Sequence, residues 1–366
     1  MKVDVVVVGA SACGGLAARS AAKRGAKTIL LEEDAVVGKF NKCSGLFSKN
    51  GLKQLNVDYD ACVLHEITGA EVYAGKNKFT VQRKNIVALV LDRQKLDEEI
   101  VNEAISAGVV LKTKCKVTNK INANTIATSA GGEFNFKYLI GCDGVSSSIA
   151  SLYSFPSLKN SLAIGYEAEY VNARAGGEEL VKVFLDKKMF PGFFGWVIPA
   201  GKTVRLGFGT TNYKTFTTTS RDFFHLPIVS QITRDSRKVR EFTHAIPLKL
   251  RSVTEKQSVF LAGDAAGQVK STTGGGVVLG GQCAMLAGEI ASHNCNCVCD
   301  DNSKTRSYEK EWRQKFGKTF ATHAGIRKTF NALPSPLVNL SVLGFDKLFL
   351  YKLLEKFGDM DYVTKC

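Results

Sequence analysis

The stretch VDVVVVGASACGGLAARSAAKRGAKTILLEE, residues 3–33, contains the strongest indication of the fold class. VDVVVV is a run of β-branched residues, which is typical of a strand buried on both faces of a parallel sheet. GASACGG is a turn of small residues, LAARSAAKRG predicts a helix that ends at Gly25, and TILL predicts a second strand closed by Glu32. The sequence therefore predicts a β-turn-α-β unit with an acidic residue at the end of its second strand.

The small residues of this turn are typical of a dinucleotide-binding site. Gly9 permits the sharp turn, Gly14 lets a pyrophosphate approach the backbone, and the helix N-terminus supplies N–H groups and a positive dipole end. Glu32, with Glu33 directly after it, would accept hydrogen bonds from a ribose hydroxyl. Ser11 stands where the usual G-x-G-x-x-G pattern has its middle glycine. We interpret the turn as a nucleotide site, and a glycine turn without a ligand is the alternative.

Two later segments also combine a strand, an acidic residue and glycines. YLIGCDGVSSSIA, residues 138–150, has Asp143 and Gly144 after a strand. VFLAGDAAGQVKSTTGGGVVLGGQCAMLAGEIAS, residues 259–292, has Asp264 after a strand, then a glycine-rich loop and an apolar helix. A carboxylate after a strand can bind ribityl hydroxyls, and a glycine-rich helix start can bring N–H groups to a flavin ring. Both segments therefore fit the nucleotide site of the first stretch.

In this order, the segments resemble the FAD-dependent oxidoreductases of the aromatic-hydroxylase type, over most of residues 1–290. The resemblance implies FAD as the cofactor. It also implies that the first turn, Glu32 and Arg93 hold the adenosine diphosphate part, and that Asp264 lies near the ribityl chain and phosphates. The predicted cofactor-binding residues are Gly9, Ser11, Gly14, Glu32, Glu33, Cys43, Arg93, Asp143, Asp264, Gly275 and Gly276.

The segment PGFFGWVIPAGKTVRLGFG, residues 191–209, distinguishes the branches of this superfamily. It resembles the Y-x-W-x-F-P-x-G and V-G-x-G signature of geranylgeranyl reductases, with Phe in place of Tyr and Ile in place of Phe. The loop at 263–276 resembles that family's GDAAG-x-V-x-P-x-T-GGG loop, with Ser271 at the proline position. The substrate-binding residues that this resemblance implies are Phe194, Trp196, Pro199 and Gly207.

Aromatic residues are frequent in and around this segment. An isoprenoid chain is long and apolar, and a sheet floor of aromatic rings would offer it an apolar tunnel. An ordinary sheet core is the alternative, and the family resemblance favours the substrate channel. The aromatic residues predicted to line it are Phe184, Phe190, Phe193, Phe194, Trp196 and Phe208.

The stretch NKCSGLF, residues 41–47, raises the question of what Cys43 does. It falls where many geranylgeranyl reductases carry a C-G-E-G or C-x-G segment, and the acid of that segment is absent here. Saturation of an isolated prenyl double bond needs a hydride and a proton. A thiol with its ordinary pKa of about 8.5 can supply or relay the proton, and Lys42 is a basic neighbour. We hypothesise that Cys43 is catalytic at the reactive face of the flavin, either in proton transfer or in shaping the alkene site; a buried structural thiol is the alternative. Lys270 in the glycine loop is a second candidate for electrostatic effects at the flavin edge.

The composition bounds the partners and the compartment. The chain of 366 residues has a net charge of +15, which favours anionic partners such as phosphates, acidic lipid surfaces or an acidic redox protein. The lysines and arginines are scattered and form no nucleic-acid motif, so we predict no nucleic-acid partner. No window contains 18 or more uncharged apolar residues, and the N-terminus lacks the layout of a secretory signal. We predict a cytoplasmic protein, with peripheral membrane contact as a further hypothesis.

The ten cysteines predict reduced thiols in a reducing compartment. CNCVC brings together Cys295, Cys297 and Cys299, and a thiolate metal or cluster site is one interpretation. The segment lacks C-x-x-C spacing and a matching second half, so cysteines of a surface loop are the interpretation that we favour. We therefore predict no metal site.

The remaining chain predicts the architecture. Residues 155–255 contain alternating short strands that predict an antiparallel sheet, and the chain becomes helical after residue 300. The predicted fold class is α/β (α+β), with a Rossmann-like FAD-binding domain of the aromatic-hydroxylase type, an antiparallel-sheet substrate domain and a C-terminal helical region. The predicted boundaries are 1–154 and 256–295 for the FAD-binding domain, 155–255 for the substrate or cap domain, and 296–366 for the helical region.

The resemblance implies an FAD-dependent reductase that saturates C=C bonds of geranylgeranyl chains in archaeal-type membrane lipid precursors. The alternatives are an aromatic monooxygenase, an electron-transfer flavoprotein-type dehydrogenase and a lipid-binding module without activity. The chain has no C-x-x-C-x-x-C set, which counts against the dehydrogenase. Since the only dinucleotide fingerprint belongs to FAD, the electron donor stays open among NAD(P)H, ferredoxin and a deazaflavin. The choice between a lipid and a diphosphate substrate also stays open.

Overall fold

The computed structural model describes residues 1–39, 42–297, 305–347 and 361. Over these residues the chain forms three sheets with helices packed against them. The strands are β1 (Lys2–Val8), β2 (Thr28–Leu31), β3 (Leu46–Ser48), β4 (Val63–Ile67), β5 (Gly69–Ala74), β6 (Asn77–Gln82), β7 (Ala88–Leu91), β8 (Val110–Lys112), β9 (Val117–Asn122), β10 (Thr125–Thr128), β11 (Glu133–Gly141), β12 (Leu162–Val171), β13 (Leu180–Phe184), β14 (Gly195–Ala200), β15 (Thr203–Thr210), β16 (Arg237–Pro247), β17 (Glu255–Lys256) and β18 (Val259–Leu261). The helices are α1 (Ala12–Ala22), α2 (Lys49–Gln54), α3 (Arg93–Ser106), α4 (Ser148–Leu152), α5 (Phe216–Phe224), α6 (Pro227–Thr233), α7 (Val277–Asn296), α8 (Tyr308–Ala332) and α9 (Ser335–Lys347).

The first sheet is built around β1, which pairs in parallel with β2 on one side and with β11 on the other. β8 continues the sheet beyond β2, and β18 continues it beyond β11, again in parallel. The three segments with acidic residues after strands therefore begin at the same edge, because the carboxyl ends of parallel strands coincide. The β-turn-α-β unit predicted from residues 3–33 is confirmed.

Helices α1 and α7 pack side by side on this sheet, and they approach each other closely. Ala17, Ala18 and Ala21 of α1 are buried, and a Cβ on Gly288 of α7 would overlap the carbonyl oxygen of Ala17. A glycine opposite alanines lets the two backbones come into contact, so the apolar helix predicted after the glycine loop packs directly on the nucleotide-binding helix.

The second sheet has the strand order β16-β12-β15-β14-β13-β5-β6. Neighbouring strands are antiparallel except for β13 and β5, which pair in parallel. Helices α5 and α6 supply Phe223, Val229 and Ile232 to the apolar core on one face of this sheet. The opposite face packs against the small sheet β3-β7-β4 and the glycine loop, through residues such as Val90 and Val269.

One predicted domain boundary differs from this topology. The sequence predicts 1–154 as the first part of the FAD-binding domain, whereas β5 and β6 are hydrogen-bonded into the second sheet. The local pattern of this hairpin predicts two strands, but it carries no signal for the sheet they join. That assignment comes from the pairing of β5 with β13, about 110 residues later in the chain.

The helical C-terminal region packs on both parts of the molecule. Tyr308 and Trp312 of α8 are buried in the core of the first sheet, where the Trp312 indole donates to Thr254 Oγ1 at 2.8 Å. Val338 and Val342 of α9 pack on the β5–β6 hairpin. Among the helices of the described residues, none is long and apolar enough to cross a membrane.

Candidate active site

The turn after β1 leaves no room for side chains at its two key glycines. Gly9 has φ of +94°, and a Cβ there would be 2.6 Å from the Cys142 carbonyl oxygen. A Cβ on Gly14 would overlap the carbonyl oxygen of Gly9. The turn thus presents bare backbone at the N-terminus of α1, as a pyrophosphate site requires.

The carboxylate of Glu32 lies beside this turn. Its Oε2 accepts from the Ala10 N–H at 2.6 Å, and its Oε1 accepts from the Asp34 N–H at 2.9 Å. Glu33 is exposed and pairs with Lys116 at 2.7 Å, and Ser11 is the N-cap of α1 without a side-chain capping bond. Of the two predicted acidic residues, Glu32 is therefore the one next to the nucleotide turn.

Arg93 and Asp97 form a buried ion pair at the start of α3. Arg93 Nη2 donates to Asp97 Oδ1 at 2.6 Å, and the side chains are 7% and 0% exposed. Burial raises the pKa of Asp97, and the charge of Arg93 opposes that rise. Arg93 Nε and Asp97 Oδ2 are both buried without a hydrogen-bond partner among the described residues. Two orphaned polar atoms in one buried pair fit a site that receives a polar ligand.

The glycine loop after β18 brings Asp264 to the start of α7. A Cβ on Gly276 would be 2.7 Å from Asp264 Oδ1, and one on Gly275 would be 2.8 Å from Lys270 Cε. Burial raises the pKa of Asp264, and the charge of Arg93 opposes the rise. Asp264, Gly276 and Arg93 therefore belong to one neighbourhood, as the predicted cofactor site requires.

Asp143 shapes the turn after β11. Its Oδ1 accepts from Ser147 Oγ at 2.6 Å and its Oδ2 accepts from the Ile149 N–H at 3.0 Å. Burial raises its pKa. Because both oxygens bind the start of α4, Asp143 holds the backbone at Cys142 against Gly9.

The loop that carries Cys43 is fixed between β7 and the second sheet. Cys43 Sγ accepts from the Gly45 N–H at 3.4 Å, and the Cys43 side chain also interacts with Arg93. Arg205 Nη1 donates to the Ser44 carbonyl oxygen at 2.7 Å. A Cβ on Gly45, whose φ is +69°, would overlap the carbonyl oxygen of Leu91. Cys43 is thus half-buried and adjacent to a predicted cofactor residue.

Sequence reasoning missed a buried carboxyl group beside this loop. Glu167 of β12 is 2% exposed, and its Oε2 accepts from Trp196 Nε1 at 2.9 Å and from the Ser44 hydroxyl. Burial raises the pKa of Glu167, although Ser44, Arg205 and Trp196 oppose the rise. The signal was the alternation of LAIGYEAEYV, which puts Glu167 on the same face as the buried Ala163.

Rings lie over glycines on this face of the second sheet. A Cβ on Gly207 would be 2.5 Å from two ring carbons of Trp196, and one on Gly165 would be 2.6 Å from His244 Cε1. A Cβ on Gly274 of the glycine loop would be 3.3 Å from Phe193 Cζ. The aromatic face and the glycine loop therefore meet.

The aromatic residues predicted to line one channel are divided between the two faces of the sheet. Phe193, Phe194 and Trp196 belong to the core that faces the glycine loop. The other three, Phe184, Phe190 and Phe208, pack on the opposite face with α5 and α6. Pro199 follows the alternation of Val197 and so lies on that opposite face as well. Within the strands, side-chain alternation separates Trp196 of β14 from Phe184 of β13 and Phe208 of β15, and composition alone does not show this.

The remaining candidates from the sequence are Lys270 and the cysteines of the CNCVC segment, and those that the structure describes contact other protein groups. Lys270 is buried and pairs with Asp361 at 2.5 Å. Cys295 Sγ lies 3.6 Å from the Asp4 carbonyl oxygen and Cys297 Sγ lies 3.6 Å from His293 Nε2, whereas Cys299 lies outside the described residues. No group of three or more His, Cys, Asp or Glu side chains within the described part of the chain could hold a metal ion.

The fold and the site define a nucleotide-binding flavoprotein with a second sheet that faces the nucleotide domain. Residues 2–294 match the FAD binding domain family, and the chain belongs to it. The cofactor is FAD. The bare turn at Gly9 and Gly14 and the orphaned atoms of the Arg93–Asp97 pair fit it.

Relatives and solved structures extend this similarity over nearly the whole chain. The digeranylgeranylglycerophospholipid reductase of Methanocaldococcus jannaschii is 27% identical over 89% of this chain and 86% of its own length. The reductase of the same name from Methanothrix thermoacetophila is 27% identical over 93% and 90%. A geranylgeranyl bacteriochlorophyll reductase-like structure from Thermoplasma acidophilum has a TM-score of 0.84 at 21% identity and covers 97% of this chain and 99% of its own. The last comparison shows the fold, and the α/β fold class is confirmed.

Proposed function

We propose that this protein is an FAD-dependent reductase that saturates C=C bonds of geranylgeranyl chains in archaeal-type membrane lipid precursors. The observation that carries the proposal is the position of the aromatic face of the second sheet. Phe193 on this face contacts the glycine loop, and Trp196 shares the acceptor Glu167 with Ser44 of the Cys43 loop. The names of the relatives support the same substrate class.

The residues of the nucleotide domain hold and orient the cofactor. When bound, FAD in its reduced form supplies a hydride to carbon. The turn at Gly9 and Gly14 would accommodate the pyrophosphate, Glu32 would accept from the ribose, and Asp264 would bind the ribityl chain. Arg93, already paired with Asp97, keeps its unpaired Nε for the cofactor.

The second sheet supplies the surface for the prenyl chain. Phe193, Phe194 and Trp196 form an apolar face that excludes water from an isolated double bond. Gly207 leaves room for the Trp196 ring, so we assign Gly207 an indirect role, in which it positions the ring and does not contact the substrate. Pro199, on the other face, is not part of this proposal.

Cys43 lies at the boundary between these two parts and is proposed to assist proton delivery to the alkene. Its thiol is half-buried and contacts Arg93, which also interacts with Asp264. Cys43→Ser should keep FAD bound and lower turnover by about 100-fold, the lower range for a lost general acid. Cys62→Ser replaces another buried thiol and is the matched control for thiol loss. Turnover that stays at the wild-type level in Cys43→Ser would contradict this role.

The deciding experiment follows flavin absorbance and product mass without oxygen. The protein is reduced with dithionite and mixed with a geranylgeranyl lipid or with geranylgeranyl diphosphate. Reoxidation with a mass gain of about two units per saturated bond supports the reductase, because one hydride and one proton are added. A flavin that stays reduced until air is admitted would instead favour a monooxygenase or an electron-transfer flavoprotein.

The electron donor is a separate part of the proposal. NAD(P)H, a ferredoxin and a deazaflavin are the three candidates, and the names of the relatives imply only that a reductant exists. Stopped-flow reduction of the FAD-loaded protein by each donor in turn identifies the one that reacts within the turnover time.

We also propose peripheral contact with an anionic lipid surface through α9. Leu337 and Leu340 are 47% and 58% exposed on this helix, and the chain carries a net charge of +15. Sedimentation with anionic vesicles at low salt should show binding that Leu337→Ser/Leu340→Ser weakens. Ile326→Ser, an exposed apolar residue of α8, is the matched control. Absence of binding by the wild-type protein would contradict the contact.

A further inference from the structure

Glu167 is a buried acid that the proposed reaction has not yet used. Its carboxyl group is the acceptor of two neutral donors, the Trp196 indole N–H at 2.9 Å and the Ser44 hydroxyl. Both bonds reach the same oxygen, Oε2. Within the described residues, no hydrogen bond to Oε1 was found, so this oxygen is available to carry a proton.

In the part of the chain that the structure describes, no lysine, arginine or histidine forms an ion pair with Glu167. The charge of Arg205 on β15 acts on Glu167, but the guanidinium is engaged with Glu169 Oε1 at 3.4 Å and with the Ser44 carbonyl oxygen. Glu169 on the same strand adds a like charge that opposes ionisation. On β16, Phe242 is opposite Glu167, and its two neighbours on that face are titratable. His244, which Lys42 faces, lies on one side, and Arg240, whose guanidinium lies over the Phe242 ring, lies on the other. Burial without a dedicated cation favours the neutral carboxyl group.

We propose that Glu167 is the proton reservoir of the double-bond reduction and that it delivers its proton through the Ser44 hydroxyl to the site beside Cys43. This inference rests on the proposed function. Because it acts through Ser44, Glu167 is a positioning residue of the proton path.

The step balances in atoms and electrons. The reduced flavin of the proposed function supplies a hydride, which forms one new C–H bond with its own electron pair. The π electrons of the alkene form the second C–H bond with the hydroxyl proton of Ser44, once that O–H has turned from Glu167 to the alkene. Ser44 Oγ regains a proton from Oε2 of Glu167, the oxygen it is bonded to, after the carboxyl proton has moved there from Oε1. Glu167 is left as a carboxylate and takes a new proton from water after the product leaves.

The first test detects the proton itself and needs no substrate. The infrared difference spectrum between the wild-type protein and Glu167→Gln, both loaded with FAD at neutral pH, should contain the band of a protonated carboxylic acid that only the wild type has. The glutamine keeps an oxygen for the Trp196 and Ser44 donors, so the site should stay folded. Glu241→Gln, an exposed glutamate that accepts from Tyr166 at 2.8 Å, is the control and should leave the band in place. A band that is unchanged in Glu167→Gln would overturn the proposal.

The second test follows the proton in turnover. Glu167→Gln should bind FAD normally, lower turnover by about 100-fold and remove the pH dependence that the reservoir imposes. Ser44→Ala should lower turnover similarly while it keeps the infrared band. Wild-type turnover and pH profile in either variant would overturn the relay. Failure of the wild-type protein to saturate any prenyl double bond would instead contradict the proposed function, and the infrared result would still decide whether Glu167 holds the proton.

Discussion

The indole ring of Trp196 lies directly against the α-carbon of Gly207. A Cβ at position 207 would be 2.5 Å from both Cε2 and Cζ2 of the ring, closer than real side chains approach. The same ring donates its N–H to Glu167 at 2.9 Å. Because Gly207 has no side chain, the Trp196 ring can occupy this space. In this position its N–H is bonded to the buried carboxyl group of Glu167.

Gly207→Ala should displace the Trp196 ring and break its bond to Glu167. We expect a loss of about 1–3 kcal/mol in the free energy of unfolding, the usual cost of overpacking a core. Denaturant unfolding followed by tryptophan fluorescence measures it. Gly325→Ala in α8 is the control, because nothing lies within 4 Å of its Cβ position, and it should be neutral or stabilising. Equal stability of Gly207→Ala and the wild type would show that the ring adapts.

Much of the nucleotide domain was predictable because its signals are local. The residues 3–33 contain a buried strand, a small-residue turn, a helix and a second strand in one continuous stretch. The glycines at 9 and 14 are required by contacts within that stretch and with the neighbouring strand β11. Periodicity and turn composition carry such information without knowledge of distant pairing.

The aromatic face of the second sheet and the Glu167 site beside it were less predictable because distant segments build them. Glu167 reaches Ser44 across 123 positions of the chain, and Arg205 reaches the same serine across 161. The aromatic residues belong to two cores, one on each face of the second sheet. The positions of the phenylalanines in the sequence do not show which core each one joins. Strand registers and partners that lie far apart in sequence decided these contacts.

Gly14→Ala should prevent normal FAD binding. The added Cβ would overlap the Gly9 carbonyl oxygen, so the turn that receives the pyrophosphate must open. We expect at least about tenfold weaker binding, since each 1.4 kcal/mol lost is a factor of ten. The measurement is the flavin absorbance per protein after purification, followed by a fluorescence titration with FAD. Gly325→Ala should retain full flavin content, and full content in Gly14→Ala would contradict the assignment of the turn.

Replacement of Arg93 should lower the free energy of unfolding, because Asp97 would stay buried without its ion-pair partner. Arg93→Met leaves a fully buried carboxyl group without its cation, and we expect a loss of about 3–5 kcal/mol. Burial already raises the pKa of Asp97, so its neutral form is favoured at low pH and the loss should grow as the pH rises. Arg93→Met/Asp97→Asn should recover most of the stability. Denaturant unfolding at saturating FAD measures this series.

The control for this series is an exposed ion pair of the same kind. Arg24 pairs with Glu289 at 2.8 Å, and its side chain is 46% exposed. Arg24→Met should cost less than about 1 kcal/mol because water screens the pair. A loss in Arg93→Met that is as small as in Arg24→Met, or that does not depend on pH, would contradict a buried charge pair at the start of α3.

His244 should make the protein less stable as the pH falls from about 6.5 to about 4. Burial, with a smaller effect of the Lys42 charge, lowers the pKa of His244 to about 4. Above pH 6.5 the ring is neutral in both states, and its contribution to stability is fully present. Below that pH the histidine is protonated in the unfolded chain while the buried ring of the folded protein stays neutral. The free energy of unfolding therefore falls, by an amount on the order of 3 kcal/mol near pH 4. His244→Gln should remove this part of the pH dependence, measured as the difference between its free energy of unfolding and that of the wild type at each pH. His225→Gln, which changes an exposed ring and leaves His244 in place, should keep the wild-type fall, and parallel curves for His244→Gln and the wild type would show that the buried ring is not responsible.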